Sequence, residues 1–203
     1  MKTFYIIRHG ETDYNRRGII QGRGVNTDLN ETGRMQAQRF YEAYSEVPFD
    51  KIYTSMLKRT HQTVQDFIDR GIPWEQLSGL DELDWGNNEG QAPDPDAMQE
   101  FYRIAEQWVE GNYDVAMPGG ESALDVAHRQ EVALELILSH QEEENVLVCM
   151  HGRAMRILMC RLTGKELREM DLFPHQNLSL YKVAYDGKSF EILDFNDLGH
   201  LYE

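Results

Sequence analysis

Cysteine is nearly absent: Cys149 and Cys160 are the only two in 203 residues. Both lie in apolar surroundings, so they read as reduced core residues and imply no disulfide framework. No apolar run approaches the roughly 18 residues that would suggest a membrane span. The chain enters a strand-like segment almost at once, so neither a signal peptide nor a membrane association is expected. Positive charge is also scarce, with 20 Lys and Arg against 35 Asp and Glu and a formal charge of −15. Such a surface cannot replace the counterions of a nucleic acid, which excludes general nucleic-acid binding. A small anionic substrate stays possible, because a few arginines make a local positive pocket. These absences together point to a cytoplasmic protein.

Several site types are missing as well. There is no Gly-Lys-Ser/Thr phosphate loop, no Gly-x-Ser-x-Gly elbow and no histidine pair flanking a helical glutamate. Cys149 followed by Arg153 and Arg156 has the wrong spacing for a thiol phosphatase loop, since Met155 stands where the arginine belongs. Gly22-Arg23-Gly24 is too short for a dinucleotide fingerprint. His61, His128, His140, His175 and His200 show no metal-ligand spacing and receive no role.

What is present is a globular composition, 41% hydrophobic and 27% charged, enough for a core without staples. No linker, repeat or low-complexity tract interrupts residues 1–203, which predicts a single domain. Strand candidates fall at 3–7, 51–54, 145–150, 178–184 and 190–195, the last two flanking the hairpin turn Asp186-Gly187. Helical patterns fall at 30–45 with Asn30 as N-cap, then 57–70, 94–111, 121–143 and from Gly152 through Leu162. This alternation predicts an α/β sheet covered by helices on both faces.

Two stretches echo each other. FYIIRHGE and VLVCMHGR each run an apolar strand into X-His-Gly. In an open α/β sheet, ligands bind beyond the carboxyl ends of the strands, where both histidines are expected. Arg8, His9, Arg59, Glu82 and His151 each sit at or just past such a strand end. Imidazole attacks phosphorus in line, splitting one displacement into two through a phosphohistidine. Arginine forks and a second histidine suit the equatorial oxygens of a transferring phosphoryl group. A carboxyl group, here Glu82, protonates the leaving alkoxide and later takes a proton from water. Such a set needs no metal and no cofactor. The echo leaves open which histidine attacks.

The same residues resemble the histidine phosphatase superfamily, branch 1, with its phosphoglycerate mutase-like fold. Arg8-His9-Gly10-Glu11-Thr12 with Asn15 is similar to its N-terminal motif. Ser55-Met56-Leu57-Lys58-Arg59 with Gln62-Thr63 is similar to its Ser-Pro-Leu-x-Arg-x-x-Gln-Thr segment. Glu82, Gly86 and Glu89-Gly90 resemble the acid loop, and Pro118-Gly119-Gly120-Glu121-Ser122 and His151-Gly152 complete the order. The resemblance implies a three-layer α/β/α sandwich with a mostly parallel central sheet. It implies His9 as nucleophile, Glu82 as proton donor, and Arg8, Arg59 and His151 as the phosphate pocket. Asn15, Gln21, Gly22 and Gly152 are implied as further phosphate donors. The implied activity is a metal-independent phosphomonoester hydrolase acting on a small phosphorylated metabolite. A phosphoglycerate mutase-type transferase and a non-catalytic phospholigand binder are the alternatives.

Three departures mark this chain. QGRGVNTDLN carries one residue more than the family's Gln-Gly-x-x-Asp-x-Pro-Leu-Thr, with Asp28 in the proline's place. Met56 replaces another proline, and Asn88 stands where tryptophan is common. Arg16, Arg17 and Arg23 are candidates for a second anionic group on the substrate. Trp85, Trp108 and Tyr102 are candidates for an apolar substrate wall or for core. Glu11 and Glu121 are expected to hold loops or position arginines. The natural substrate and the oligomeric state are not legible.

Overall fold

Side-chain alternation along each strand decides the layers. In the computed structural model, which describes residues 1–92 and 94–202 and only the backbone of Ala97, β1 spans Lys2–Arg8. It sends Phe4 and Ile6 to one core and Tyr5 and Ile7 to the other. The remaining elements are α1 (Asp13–Arg16), α2 (Glu31–Tyr44), β2 (Lys51–Thr54), α3 (Lys58–Thr63), α4 (Gln65–Asp69) and β3 (Trp74–Gln76). They continue with α5 (Pro95–Val109), α6 (Ala123–Ser139), β4 (Asn145–Met150), α7 (Gly152–Thr163), β5 (Leu180–Tyr185) and β6 (Phe190–Asp197).

The strands form one sheet in the order β3-β2-β4-β1-β5-β6. The first four run parallel, while β5 is antiparallel to both β1 and β6. Leu134 and Ile137 of α6 and Leu158 and Leu162 of α7 cover the Phe4/Ile6 face. Phe40 of α2 and Phe67 of α4 cover the Tyr5/Ile7 face. Each such side chain contributes about 1.5–3 kcal/mol of burial. The result is the expected three-layer α/β/α arrangement with a mostly parallel sheet. None of the described helices is long and apolar enough to cross a membrane.

Register places the site. Arg8 pairs with Met150 across β1 and β4, and the His9 amide donates to the Met150 carbonyl at 3.0 Å. His9 and His151 therefore leave adjacent parallel strands side by side. Cys149 and Cys160 are buried and unbridged, as expected.

Sequence and structure differ most in three places, besides ends that shift, such as α6 stopping at Ser139 and β5 starting at Leu180. The expected helix at 57–70 breaks at Val64, whose φ of −111° and ψ of 15° separate α3 from α4. Residues 121–122 precede α6, because Ser122 forms a capping box with Asp125 and fixes the start at Ala123. β3 was not anticipated; it is three residues long and among the described residues pairs only with β2.

Candidate active site

Two strand ends and two loops converge here. His9 is buried, and its Nδ1 lies 2.7 Å from the Gly10 carbonyl. A carbonyl only accepts, so Nδ1 carries the proton and Nε2 keeps its lone pair. Burial first, then Arg59 and Arg8, push the His9 pKa well below the usual imidazole value. The ring is thus neutral and nucleophilic. The His151 ring centroid lies 5.1 Å away. His151 is buried too, with Nε2 2.8 Å from Ser55 Oγ. Its pKa is likewise driven well down by burial and then by Arg59, His9 and Arg8.

Two guanidiniums flank this pair. Arg59, on the first turn of α3, donates to the Val25 carbonyl at 2.7 Å and to the Gly22 carbonyl at 3.3 Å. Arg8 Nη1 donates to His175 Nδ1 at 3.2 Å. Burial lowers both arginine pKa values to about 10, with nearby Glu82 opposing the shift. Three buried nitrogens in this cluster have no hydrogen-bond partner among the described residues: Arg8 Nε, Arg59 Nε and His151 Nδ1. Each such atom costs about 1–3 kcal/mol when left unpaired.

Glu82 is seated on the first turn of α7. Its Oε1 accepts from the Leu83 and Ala154 amides, both at 2.9 Å, and its Oε2 from the Arg153 amide at 3.1 Å. The helix terminus favours a carboxyl group there. Because Oε1 already takes two donors, Oε2 is the oxygen with capacity to spare. Asn15 closes a capping box with Thr12, its Oδ1 accepting from the Thr12 amide at 3.2 Å. That bond leaves the Asn15 amide NH2 free to donate.

The side chain of Gln21 is engaged within its own loop. Its NH2 donates to Thr12 Oγ1 at 2.7 Å and its Oε1 accepts from Thr27 Oγ1 at 2.5 Å, so its side chain braces the loop. Gly22 enters through its carbonyl, as an acceptor for Arg59. The unusual loop is pinned to α3. Asn26 Oδ1 accepts from the Lys58 amide and Leu29 N donates to Gln62 Oε1, while Gln62 donates to Asp28. Met56 uses the amide a proline would lack, donating to Asp81 Oδ1 at 2.8 Å.

Of the three cations proposed from sequence for a second anion, Arg16 and Arg23 are taken, whereas Arg17 is exposed. Arg16 pairs with Glu11 and Thr32. Arg23 pairs with Asp81 at 3.1 Å and Glu121 at 3.4 Å. Glu121 also accepts from Arg129, so the two glutamates hold loops and arginines as expected. Trp85 and Trp108 are buried core, whereas Tyr102 is exposed.

Sequence reasoning missed four contributors. Ser55 contacts His151. Arg129 binds the carbonyls of Gly79, Asp81 and Glu82 at 2.9, 2.9 and 3.0 Å, fixing the acid loop's backbone. Asn177 donates to the His9 carbonyl at 2.9 Å and to Asn15 Oδ1 at 3.2 Å. His175 accepts from Arg8, and its ring fills the space where a Gly152 Cβ would stand, 2.4 Å from Cε1. Gly152 is thus required by packing. Ser55 opens a motif noted in the sequence, though its contact with His151 was not, and no local pattern flags Arg129, Asn177 or His175, whose partners here lie far along the chain. A cleft of about 460 Å³ opens beside Arg8, lined also by Glu11, Arg39, His175 and Asn177. The described cluster with metal-ligand character, His140, Glu142 and Glu143, lies at the opposite end of β4 and outside this site.

Comparison with known proteins agrees with the fold. The sequence profile of the histidine phosphatase superfamily (branch 1) matches residues 4–198. Phosphoserine phosphatase 1 of Hydrogenobacter thermophilus is 29% identical over 204 residues, covering 100% of this chain and 96% of that protein. Phosphoglycerate mutase-like protein 4 of Arabidopsis thaliana is 30% identical over 206 residues, covering 98% and 86%. The crystal structure of the α-ribazole phosphatase from Shigella flexneri superposes with a TM-score of 0.85 at 26% identity, covering 96% of each chain. The chain belongs to the histidine phosphatase superfamily, branch 1. It is a phosphoric monoester hydrolase of the kind that works through a phosphohistidine.

Proposed function

We propose that His9 is the nucleophile and Glu82 the proton carrier of this hydrolase, which acts on a small phosphorylated metabolite in the cytoplasm. His9 Nε2 attacks phosphorus, the P–O ester bond breaks, and Glu82 gives its proton to the leaving oxygen. Water then attacks the phosphorus of the P–N adduct while Glu82 takes a proton from it. The P–N bond breaks, and inorganic phosphate leaves. Arg8, Arg59, His151 and the Asn15 amide hold the phosphoryl oxygens, with the Gly152 amide at the α7 terminus as a further donor. In the assignment we favour, Ser55 donates to His151 Nε2 and the ring keeps its proton on Nδ1.

The observation that carries this reading is the trio of buried, unpaired nitrogens, Arg8 Nε, Arg59 Nε and His151 Nδ1, in the cluster around His9. A phosphoryl group satisfies all three at once. The chain is read as a single domain, with no metal required. The test is a screen of phosphomonoesters in chelator, with quenched samples checked for acid-labile, base-stable phosphate on His9. Turnover with that label is the expected result. Conversion of 3-phosphoglycerate to 2-phosphoglycerate with little phosphate release would overturn hydrolysis.

A further inference from the structure

The first residues of the loop that departs from the family pattern rest on the acid loop. A Cβ on Gly22 would stand 1.8 Å from Glu89 Oε1 and 2.4 Å from the Leu83 carbonyl, so only glycine lets the two loops meet there. Directly after it, Arg23 Nε donates to Asp81 Oδ2 at 3.1 Å, and Arg23 Nη1 reaches Glu121 at 3.4 Å. The Arg23 side chain is 39% exposed, yet the Asp81 side chain it grips is 4% exposed. Both oxygens of Asp81 are engaged, because Oδ1 accepts from the Met56 amide at 2.8 Å. Burial pushes the Asp81 pKa up, while the Met56 amide, Arg23 and Arg129 hold it back.

One buried carboxylate thus ties together three segments that meet at the site. Asp81 directly precedes Glu82 in the chain. Through Met56 it holds the loop after β2, where Ser55 contacts His151 and from which α3 starts. Through Arg23 it holds the loop whose Gly22 and Val25 carbonyls, on either side of Arg23, accept from Arg59. Those two bonds, one on each Nη, set the plane of the Arg59 guanidinium. Nε is left as its buried nitrogen without a partner among the described residues. Where that nitrogen points is therefore decided by where residues 22–25 are held. Two departures of this sequence, Arg23 in the lengthened loop and Met56 in a proline's place, act on the same carboxylate. A proline at 56 would have no amide to give.

We infer that the Arg23–Asp81 pair is a brace that positions Arg59, holding its fork in place relative to His9 and Glu82 for phosphoryl transfer. Arg23 and Asp81 are positioning residues; Arg59 is the group that meets the phosphoryl oxygens. This rests on the reading of Arg59 as a phosphoryl holder above, and it gives the lengthened loop its part in that site. Without the brace the fork is present but free to turn, and a displacement of about 1 Å costs up to about 10²-fold in rate.

Arg23→Met, at the partly exposed end of the pair, tests it with p-nitrophenyl phosphate as substrate. kcat/KM is expected to fall about tenfold. Inhibition by orthovanadate, whose five-coordinate adduct mimics the transition state, should weaken about tenfold, and inhibition by inorganic phosphate by less than about threefold. In an Arg59→Lys background the same change should add little, because the fork that the brace serves is already gone. Asp81→Asn keeps an acceptor for the Met56 amide and drops the charge facing Arg23, so it should reproduce the pattern. An unchanged kcat/KM, equal weakening of vanadate and phosphate, or full additivity with Arg59→Lys would overturn the brace. Should Arg23→Met not fold, Asp81→Asn decides by the same criteria. A wild type that neither turns over the substrate nor takes phosphate on His9 overturns the phosphatase reading instead.

Discussion

The ends of β1 and β4 carry nearly the same words, Ile7-Arg8-His9-Gly10 and Cys149-Met150-His151-Gly152, and the fold gives them different work. Both histidines are buried, both are held neutral, and their rings lie 5.1 Å apart. The difference is in the second nitrogen. His9 spends Nδ1 on the carbonyl of the next residue, a bond available to the local loop alone, and frees Nε2. His151 spends Nε2 on Ser55, a residue supplied by the loop after β2, and leaves Nδ1 unpaired. A local tether suits a group that must form and break a bond to phosphorus. A tether to another strand's loop suits a group that only holds an oxygen. Charge separates them further, since Arg8 precedes His9 where apolar Met150 precedes His151.

The sharpest way to break this contrast is at His9. His9→Ala should lower turnover by on the order of 10³ or more, as removal of a nucleophile does elsewhere. Retention of even a tenth of the wild-type rate would rule out the covalent route. A phosphate label recovered on His151 would mean the roles are exchanged.

Glu82→Gln comes next. For substrates with poor alkoxide leaving groups the loss should reach about 10²–10⁴. p-Nitrophenyl phosphate, whose leaving group departs with little protonation, should lose far less. Equal losses on both would remove Glu82 from the acid role and turn attention to Glu11 or Asp84.

His151→Ala should cost about 10²–10³ in kcat, the scale of one preorganised donor to a developing oxyanion. The labelled intermediate on His9 should still form, only slowly. Its complete loss would make His151 more than a donor.

Part of this contrast was legible in the sequence because strand ends and their first loop residues are local. Apolar runs such as Phe4 to Ile7 and Val146 to Met150 set the strands, and X-His-Gly sits directly beyond them. The alternation of β1 side chains between the two cores follows from a continuous apolar run with period-2 geometry. β3 escaped because Trp74-Glu75-Gln76 has neither alternation nor length, and its pairing depends on β2 being alongside. The break at Val64 escaped because Leu57 to Arg70 has a continuous helical pattern. The site divides in the same way. Arg8, His9, Arg59, Glu82 and His151 were named from motifs. His175, Asn177 and Arg129 were not, since their partners lie 167, 168 and 47–51 residues away. The Thr12 and Thr27 hydroxyls that hold the Gln21 side chain were not legible either, because the folded loop sets them.

The smallest expected effect is on stability, and it separates what the two histidines share from what they do not. His9 and His151 have folded pKa values well below 6.5, and the half-buried His175 joins them at about 2. Above about pH 6.5 each is neutral in both folded and unfolded chains, so none adds a pH dependence there. Below it the unfolded chain binds protons that the folded site refuses, and stability falls as pH falls. The slope is on the order of 1.4 kcal/mol per pH unit for each histidine. Denaturant unfolding between pH 6.5 and 5 should therefore flatten by about that amount per unit in His9→Asn and in His151→Asn alike. The two variants should look the same on this axis and different in phosphate labelling. If only one of them flattens the slope, the other histidine carries a proton in the folded enzyme, and the shared neutrality on which the comparison stands is wrong.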